Sequence, residues 1–517
     1  MGKKKILTDG HENYVVQFPL LTEKWQEDVL DNRFELIRRI YNAFQSKWAK
    51  KYEYVAQMDA FKECKTLADK NKFMKAYSTP FKNNKGQLKS ILPFTQYGIL
   101  SYSAKFSNTY KKNGINSSIL EDIANCCWSA WDKFLYHKGK KIHFKHKGEI
   151  NSYKIRIKSD NFPGIDKDEI KNQRLVININ GKMGSLAKNL VIPFYVNPKS
   201  AYEMYAFMDK ITCIAIKREV IRGKNRYFVQ FTFEGKKPSK NRKLGKGNVG
   251  IDLGPSIVAI SSDTKVMINE LATNVDDIEQ ELRRIQRKLD RSRRANNPGN
   301  FNIDGTIRKP KNGEKLKWKL SNHYFRDHRR LIELYRKQAV MRKRCHIDLA
   351  NELLQYGSHF IVENNDIQSW SKCTKEARLK ANGRFSSRHR YGRAIANKAP
   401  AMLIQILGNK IRSLGGTLDK INCHNAASQF DFTNGSFTKH DLNVRRVRLA
   451  NGDIHQRDML AAFNLQHLLY DGCEKNKDNY DINGMYYDYE AFTKMETEEL
   501  NRHRNSNKKI LKTMGIY

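Results

Sequence analysis

Val249-Gly-Ile-Asp-Leu-Gly254 is the stretch on which the reading of this chain turns. It has the apolar character of a strand and follows a polar, basic, glycine-containing linker, KKPSKNRKLGKGN, at 236–248. It also carries one carboxylate, Asp252. A carboxylate inside an apolar strand is costly to desolvate, so Asp252 is expected to face a partner or a cation. Two further acids stand at comparable places. Glu363 ends the run Phe360-Ile-Val-Glu363, at the end where sites form in open α/β sheets. Asp458 lies in His455-Gln-Arg-Asp-Met-Leu-Ala-Ala-Phe-Asn464, at the start of an apolar helix, where an aspartate also makes a good N-cap. Singly, each acid has a structural explanation. In that order, a strand Asp, a strand-end Glu and a helix-start Asp can place three hard oxygen ligands around two magnesium ions flanking a scissile phosphate. That is the chemistry of RNase H-like nucleases.

Outward from this stretch the periodicity alternates between helix and strand. Downstream, Ile278, Leu282, Ile285 and Leu289 form the apolar face of a helix whose other face carries Arg283, Arg284, Arg287 and Lys288. A loop rich in Arg, Lys, Asn and Gly spans 291–319, a second helical stretch spans about 321–356, and the strand SHFIVE follows. The α/β alternation continues to about 470, and the tail from 471 is mixed and polar, with no assigned role. Upstream, 12–18 (ENYVVQF) reads as a strand. Trp25, Val29, Phe34, Ile37, Ile40, Tyr41 and Phe44 then recur at helical spacing, opening a helical block that runs to about 137. From about 140 to 236, YKIRIK, RLVININ, LVIPFYV, ITCIAIKREVI and RYFVQFTF read as five strands of a small barrel or sandwich. The fold class is therefore multidomain α+β: a helical block, a small β domain and a C-terminal RNase H-like α/β domain.

Composition narrows the partner. The chain has 517 residues, and 95 Lys and Arg against 54 Asp and Glu give a formal net charge of +41. A folded protein this basic repels itself unless a polyanion is nearby, so nucleic acid leads and an acidic membrane surface comes second. No apolar run is long enough to span a bilayer, and the N-terminus has no apolar signal core. Its Gly2 lacks the downstream Ser or Thr of a myristoylation signal. The eight cysteines contain no CxxC pair, which points to reduced thiols in a cytosol rather than to zinc ribbons or disulfides. There is no GxxxxGK[ST] phosphate loop, which disfavours ATP-driven translocation.

GIDLG, FIVEN and QRDMLAAFN resemble the three split RuvC motifs of TnpB, the transposon-encoded relative of type V CRISPR effectors. APAMLIQILGNKIRSLGGTLDKI resembles that family's connecting helix and the strand after it. The resemblance implies a first strand of a wedge-like β-barrel at 1–20, a helical recognition domain at 21–138 and the rest of the barrel at 139–240. It implies RuvC motifs I and II in 249–422, an insertion at 423–455, motif III at 456–470 and a tail at 471–517. The implied activity is that of an RNA-guided DNA endonuclease. Its partners would be a guide RNA of the omega type and double-stranded target DNA, and it would act as a monomer in a prokaryotic cytoplasm at the nucleoid. Asp252, Glu363 and Asp458 would be catalytic ligands of two Mg²⁺ ions, with Mn²⁺ able to substitute. The chain departs from the family at the insertion, where most relatives carry a CxxC…CxxC zinc finger. Here only Cys423 is present, so a zinc-free version is expected, with Phe430, Phe432 and Phe437 as its small apolar core. A Cys423–His424–His455 metal cluster is the weaker alternative.

Two basic segments are candidate phosphate contacts. Residues 371–398 carry nine Lys or Arg and one acid, Glu376, and directly follow the Glu363 strand. Arg384, Arg388, Arg390 and Arg393 are expected to draw a DNA strand toward the acids, against the plain reading of a solvated loop. Arg283, Arg284, Arg287 and Lys288 belong to the second cluster, with 308–319, and are expected to track a phosphate backbone. Trp318 and Trp370 could stack on bases, against the commoner role of each as a core or rim residue. The competing functions are a catalytically silent, guide-dependent DNA-binding repressor and a DDE-type transposase.

Overall fold

The structure is a computed structural model. It describes residues 13–79, 94–156 (apart from 112, 138 and 140), 174–178, 190–235 (apart from 198), 242–310, 316–372 and 391–504 (apart from 442 and 443). Single positions at 81–82, 84, 86, 88–89, 511 and 514–515 are also described. The chain forms two compact units, Met1–Pro238 and Ser239–Tyr517.

In the first unit, strand β1 (Asn13–Pro19) alternates strictly, burying Tyr14, Val16 and Phe18 and exposing the residues between them. That period-two pattern lets it pair, across more than two hundred residues, with β6 (Lys224–Glu234). Strand β5 (Lys210–Ile221) joins β6 through Arg222 and Gly223, both at positive φ (51° and 76°), the two-residue turn whose twist suits a hairpin. With β2 (Ser152–Arg156) at the far edge, the order is β1-β6-β5-β2, all antiparallel. Strands β3 (Arg174–Asn178) and β4 (Val191–Tyr195) form a separate ribbon, bridged to the sheet region at Leu20–Phe194. The described residues thus give a four-stranded antiparallel sheet with this ribbon bridged to it just after β1. Helix α1 (Lys24–Gln57) starts at a capping box between Glu23 and Gln26. It buries Leu30, Phe34, Ile37, Ile40, Phe44 and Trp48, while Trp25 and Val29 lie on its exposed side. Helices α2 (Leu67–Ser78), α3 (Gln96–Ala104) and α4 (Ser117–Tyr136) complete the helical layer. One apolar core runs from helices to sheet, with Phe34 edge-on to Tyr153 at 5.3 Å.

The second unit is built on a five-stranded sheet. Strands β7 (Asn248–Leu253), β8 (Ile257–Ser262) and β9 (Lys265–Glu270) form an antiparallel meander. Two long helices follow, α5 (Asp276–Asn296) and α6 (Asn322–Leu353). Strand β10 (His359–Glu363) then lies parallel to β7. After α7 (Gly392–Lys398) and α8 (Pro400–Ser413), β11 (Thr417–Ile421) lies parallel to β10, giving the order β9-β8-β7-β10-β11. Val249, Ile251, Leu253, Phe360 and Val362 face α6 and α8 through Leu353, Leu403, Leu407 and Ile411. The opposite face, through Ala259, Ile268, Ile361 and Ile421, packs on α9 (Arg457–Gln466) and α10 (Ile482–His503).

Two sequence expectations change here. The tail from 471, read as mixed and polar, forms α10 and contributes Met485 and Phe492 to the core. The 423–455 insertion has no core of its own. Phe430 stacks on Tyr480 at 4.2 Å and touches Phe437 at 4.9 Å, and Phe432 packs on Tyr489 and Phe463.

Gly250 sets the spacing between α9 and the sheet. A Cβ there would sit 1.9 Å from the Ala462 carbonyl oxygen and 2.5 Å from the Gln466 nitrogen, so only a bare backbone admits the helix. Gly250→Ala should therefore destabilise the fold by about 1–3 kcal/mol through overpacking. Gly408→Ala, whose Cβ would make ordinary contact at 3.7 Å within α8, should stabilise it by about 0.5–1 kcal/mol. Urea melts of the two variants beside the parent protein check both signs.

Candidate active site

Strand period and helix pitch bring the three acids together. On β7 the residues facing α9 are the even ones, Gly250 and Asp252, and on β10 they are Ile361 and Glu363. The parallel ladder pairs Val362 with Ile251, so the next step sets Glu363 beside Asp252. Asp458 lies one helical turn, about 6 Å, before Ala462. Ala462 sits on Gly250, two residues and about 7 Å before Asp252. Contact at Gly250 thus carries Asp458 to Asp252.

The N-cap reading of Asp458 does not hold. Gln456 caps α9, its Oε1 accepting the Met459 N–H at 2.7 Å, which leaves the Asp458 carboxylate in the first turn. Asp458 Oδ1 accepts from Arg457 Nη2 at 3.0 Å and Nε at 3.2 Å. Its Oδ2 accepts from Arg445 Nη1 and Gln456 Nε2, both at 3.3 Å. Burial, followed by the charges of Asp458 and Glu363, holds the Asp252 carboxyl well above the usual carboxylate range, against the pull of Arg457 and Arg445. Burial also raises Glu363, partly offset by hydrogen bonds from Asn365 and the Ala427 backbone.

Asp252 and Asp458, but not Glu363, line a cleft of about 720 Å³ together with Trp370, Lys439, His440 and Arg445. Three carboxylates crowded beside one another suit a divalent cation in donor chemistry. Among the described residues, however, no three His, Cys, Asp or Glu side chains stand as they would around a metal ion. Both oxygens of Asp458 are taken by arginine and glutamine donors, so it has none to spare until one lets go. Arg445, Arg457, Lys439 and His440 escaped the sequence reading. Only Arg457 had a local signal, as the neighbour of Asp458 in QRD.

The basic candidates separate into different roles. Arg384, Arg388 and Arg390 lie outside the described residues, but Lys372 and Tyr391, which bracket that stretch, both line the cleft. Arg393 points elsewhere and pairs with Glu279 of α5, as does Arg283. Lys288 is tied to Asp327 at 2.9 Å. Arg284 and Arg287 make no ion pair to a described residue and line a shallow exposed groove with Arg291. Trp318 is occupied by Arg293, 5.0 Å from its ring, and by Phe301, whereas Trp370 faces the cleft. The Cys423–His424–His455 cluster is ruled out. His455 is buried with its two ring nitrogens on Glu496 and Tyr489, and Cys423 is exposed.

No family model and no curated protein matches the sequence. Among solved structures the chain is similar to Cas12f1 in complex with single guide RNA and target DNA. The TM-score is 0.43 at 11% identity, covering 88% of this chain and 99% of that one. It is also similar to the mini-RNA-guided endonuclease CRISPR-Cas_phi3, at TM-score 0.30 and 13% identity, over 65% of this chain and 64% of that one. Neither score establishes a common fold, so function has to be argued from the residues. No described helix is long and apolar enough to cross a membrane.

The raised Asp252 carboxyl has a consequence for stability. A carboxyl held above its free value of 3.8 favours the fold while protonated and opposes it once ionised. Its stabilisation is therefore complete below that pH and is lost as pH rises toward the folded value. In EDTA, Asp252→Asn should raise the melting temperature at neutral pH by on the order of a few °C, and the gain should vanish as pH falls through about 4. Differential scanning fluorimetry across pH tests this, and a gain that grows toward low pH would contradict it.

Proposed function

We propose that this chain is an RNA-guided DNA endonuclease of the TnpB type, cutting double-stranded DNA beside a short target-adjacent motif at a single RuvC-like carboxylate site. The observation that supports it is the convergence of Asp252, Glu363 and Asp458 from two parallel strands and a helix, with the Asp252 carboxyl raised first by burial and then by its acidic neighbours. Asp252, Glu363 and Asp458 would hold two Mg²⁺ ions, or Mn²⁺ in their place. Such ions supply an activated water and stabilise the leaving oxygen of a phosphodiester. The rest of the chemistry falls to the chain itself. Lys439, His440 and Arg445 line the cleft as donors for a strand's phosphates, and Trp370 offers a ring to a base. Arg445 and Arg457 keep the acidic cluster from repelling itself while the ions are away.

The partners follow from charge and from the resemblance of the three motifs. A net charge of +41 suits a guide RNA and a DNA duplex, the protein gripping phosphates while base pairing carries the sequence. Zinc has no part in this reading. The packing of Phe430 and Phe432 on Tyr480 and Phe463 supports an insertion held by aromatic contacts instead.

Asp252→Ala, Glu363→Gln and Asp458→Ala should each abolish Mg²⁺-dependent cleavage of a guided target and leave its binding within a few-fold of the parent. Gel assays of both steps on one substrate decide it, and retained cutting removes that residue from the site. Among the α5 arginines, the double change Arg284→Ala with Arg287→Ala should reduce the salt slope of nucleic-acid binding by about 1.5 units, at roughly 0.7–0.9 per phosphate contact. Lys288→Ala, whose partner is Asp327, should change the slope much less. Affinities measured over a salt series separate the two.

A further inference from the structure

Helix α10 carries two almost fully buried carboxylates, Glu496 at 3% and Glu499 at 1% exposure, and the chemistry above uses neither. Burying a carboxylate is costly unless it is paired and hydrogen-bonded. Glu496 is both. Its Oε2 accepts from His455 Nδ1 at 2.6 Å, and its Oε1 accepts the backbone N–H of Gln456 at 2.7 Å. On the other side of the imidazole, Nε2 meets the Tyr489 hydroxyl at 2.6 Å. The same hydroxyl also meets Asp453 Oδ2 at 2.7 Å. One α10 carboxylate therefore fixes both residues that lead into α9.

Gln456 passes this placement on. Its Oε1 caps α9 at the Met459 N–H. Its Nε2 donates to the Met514 carbonyl at 3.0 Å and to Asp458 Oδ2 at 3.3 Å. The route from Glu496 to the Asp458 carboxylate thus runs through a single residue. Glu499 has no such route. It accepts the Ile268 N–H at 3.1 Å and fastens the same helix to the edge strand β9.

We propose that Glu496 and His455 are positioning residues for Asp458, which makes the C-terminal helix a working part of the active site. The proposal rests on the metal-dependent nuclease reading given above. Groups that orient metal ligands through hydrogen bonds typically alter metal affinity tenfold to a hundredfold when changed. The contrast between Glu496 and Glu499, on one helix and equally buried, separates orientation from the mere attachment of that helix.

The test uses the full chain with E496Q, H455Q, E499Q and D458N. Backbone hydrogen exchange of the 454–466 segment is followed in EDTA. Mn²⁺ binding is followed by electron paramagnetic resonance, and melting temperature by calorimetry. E496Q and H455Q should speed exchange in 454–466 about tenfold and weaken Mn²⁺ binding by about tenfold to a hundredfold. E499Q should lower the melting temperature yet leave exchange in 454–466 and Mn²⁺ affinity at parental values. Parental exchange in E496Q would overturn the proposal. So would faster exchange with parental Mn²⁺ affinity, or an equal loss in E499Q. Should E496Q fail to fold, H455Q carries the comparison. If the parent protein binds no Mn²⁺ that D458N abolishes, the nuclease reading fails on its own account, and the exchange contrast between E496Q and E499Q alone decides the positioning role.

Discussion

Helix α9 lies against strand β7 at a point where the strand has no side chain, and the acidic site depends on that contact. Gly250 abuts the Ala462 carbonyl and the Gln466 nitrogen, the two ends of one α-helical hydrogen bond. Because strand and helix advance by similar distances over two and four residues, fixing 250 against 462 also fixes 252 against 458. Ser261 extends the same seam, its Oγ donating to Gln466 Oε1 at 2.7 Å, and Gln466 Nε2 donates in turn to Asp263 at 2.7 Å. The glycine has an ordinary negative φ and is needed for space rather than for backbone freedom.

Crowding carboxylates together requires compensation, and the second unit supplies it from two directions. Arg445 and Arg457 come from the solvent side and cover the oxygens of Asp458. From the core side, α10 holds the start of α9 through Glu496 and His455. A helix N-terminus also favours an anion in its first turn, which is where Asp458 sits. The same logic explains why a strongly basic chain does not present all its charge to solvent. On α5, Arg283 and Lys288 are each drawn to an acid of their own helix or a neighbouring one. Among the described residues, Arg284, Arg287 and Arg291 of α5 line an exposed groove, and Lys439 and His440 line the cleft.

Much of the second unit was legible in the sequence because its signals are strong and local. Short apolar runs announced β7 and β10, and the 3.6-residue stripe of Ile278, Leu282, Ile285 and Leu289, the last three buried, announced α5. Three acids stood out at strand and helix ends, and the fold brings Glu363 and Asp458 close enough to Asp252 to act on its carboxyl. The β-rich block was legible as strands but not in its pairing, because strand propensity says nothing of which edges meet. Only pairing across the chain, as between β1 and β6, settles which edges meet. Helix α10 was missed for a different reason. Its inward face includes Glu496 and Glu499, so a hydropathy pattern scores as surface what the fold has buried. Trp25 and Val29 erred in the other sense, apolar residues in register with a buried stripe yet beyond its edge.

The missed residues share a property that bears on how the site works. Arg445, Gln456, Glu496 and His455, the last read from sequence only as a metal-cluster candidate, act on Asp458 or on its helix, and all four lie outside the apolar patterns by which elements are recognised. Gly250 fixes where α9 sits along the strand, but a helix in the right place can still turn about its own axis. That rotation is set by polar contacts at its first turn, the Gln456 cap and the Glu496 grip on the Gln456 amide. Apolar packing therefore brings the three acids into one neighbourhood, and buried hydrogen bonds decide which way Asp458 points within it. The first of these tasks leaves a trace in residue periodicity. The second falls to residues brought together from positions 445, 455–456 and 496, where no single window of sequence contains the pattern.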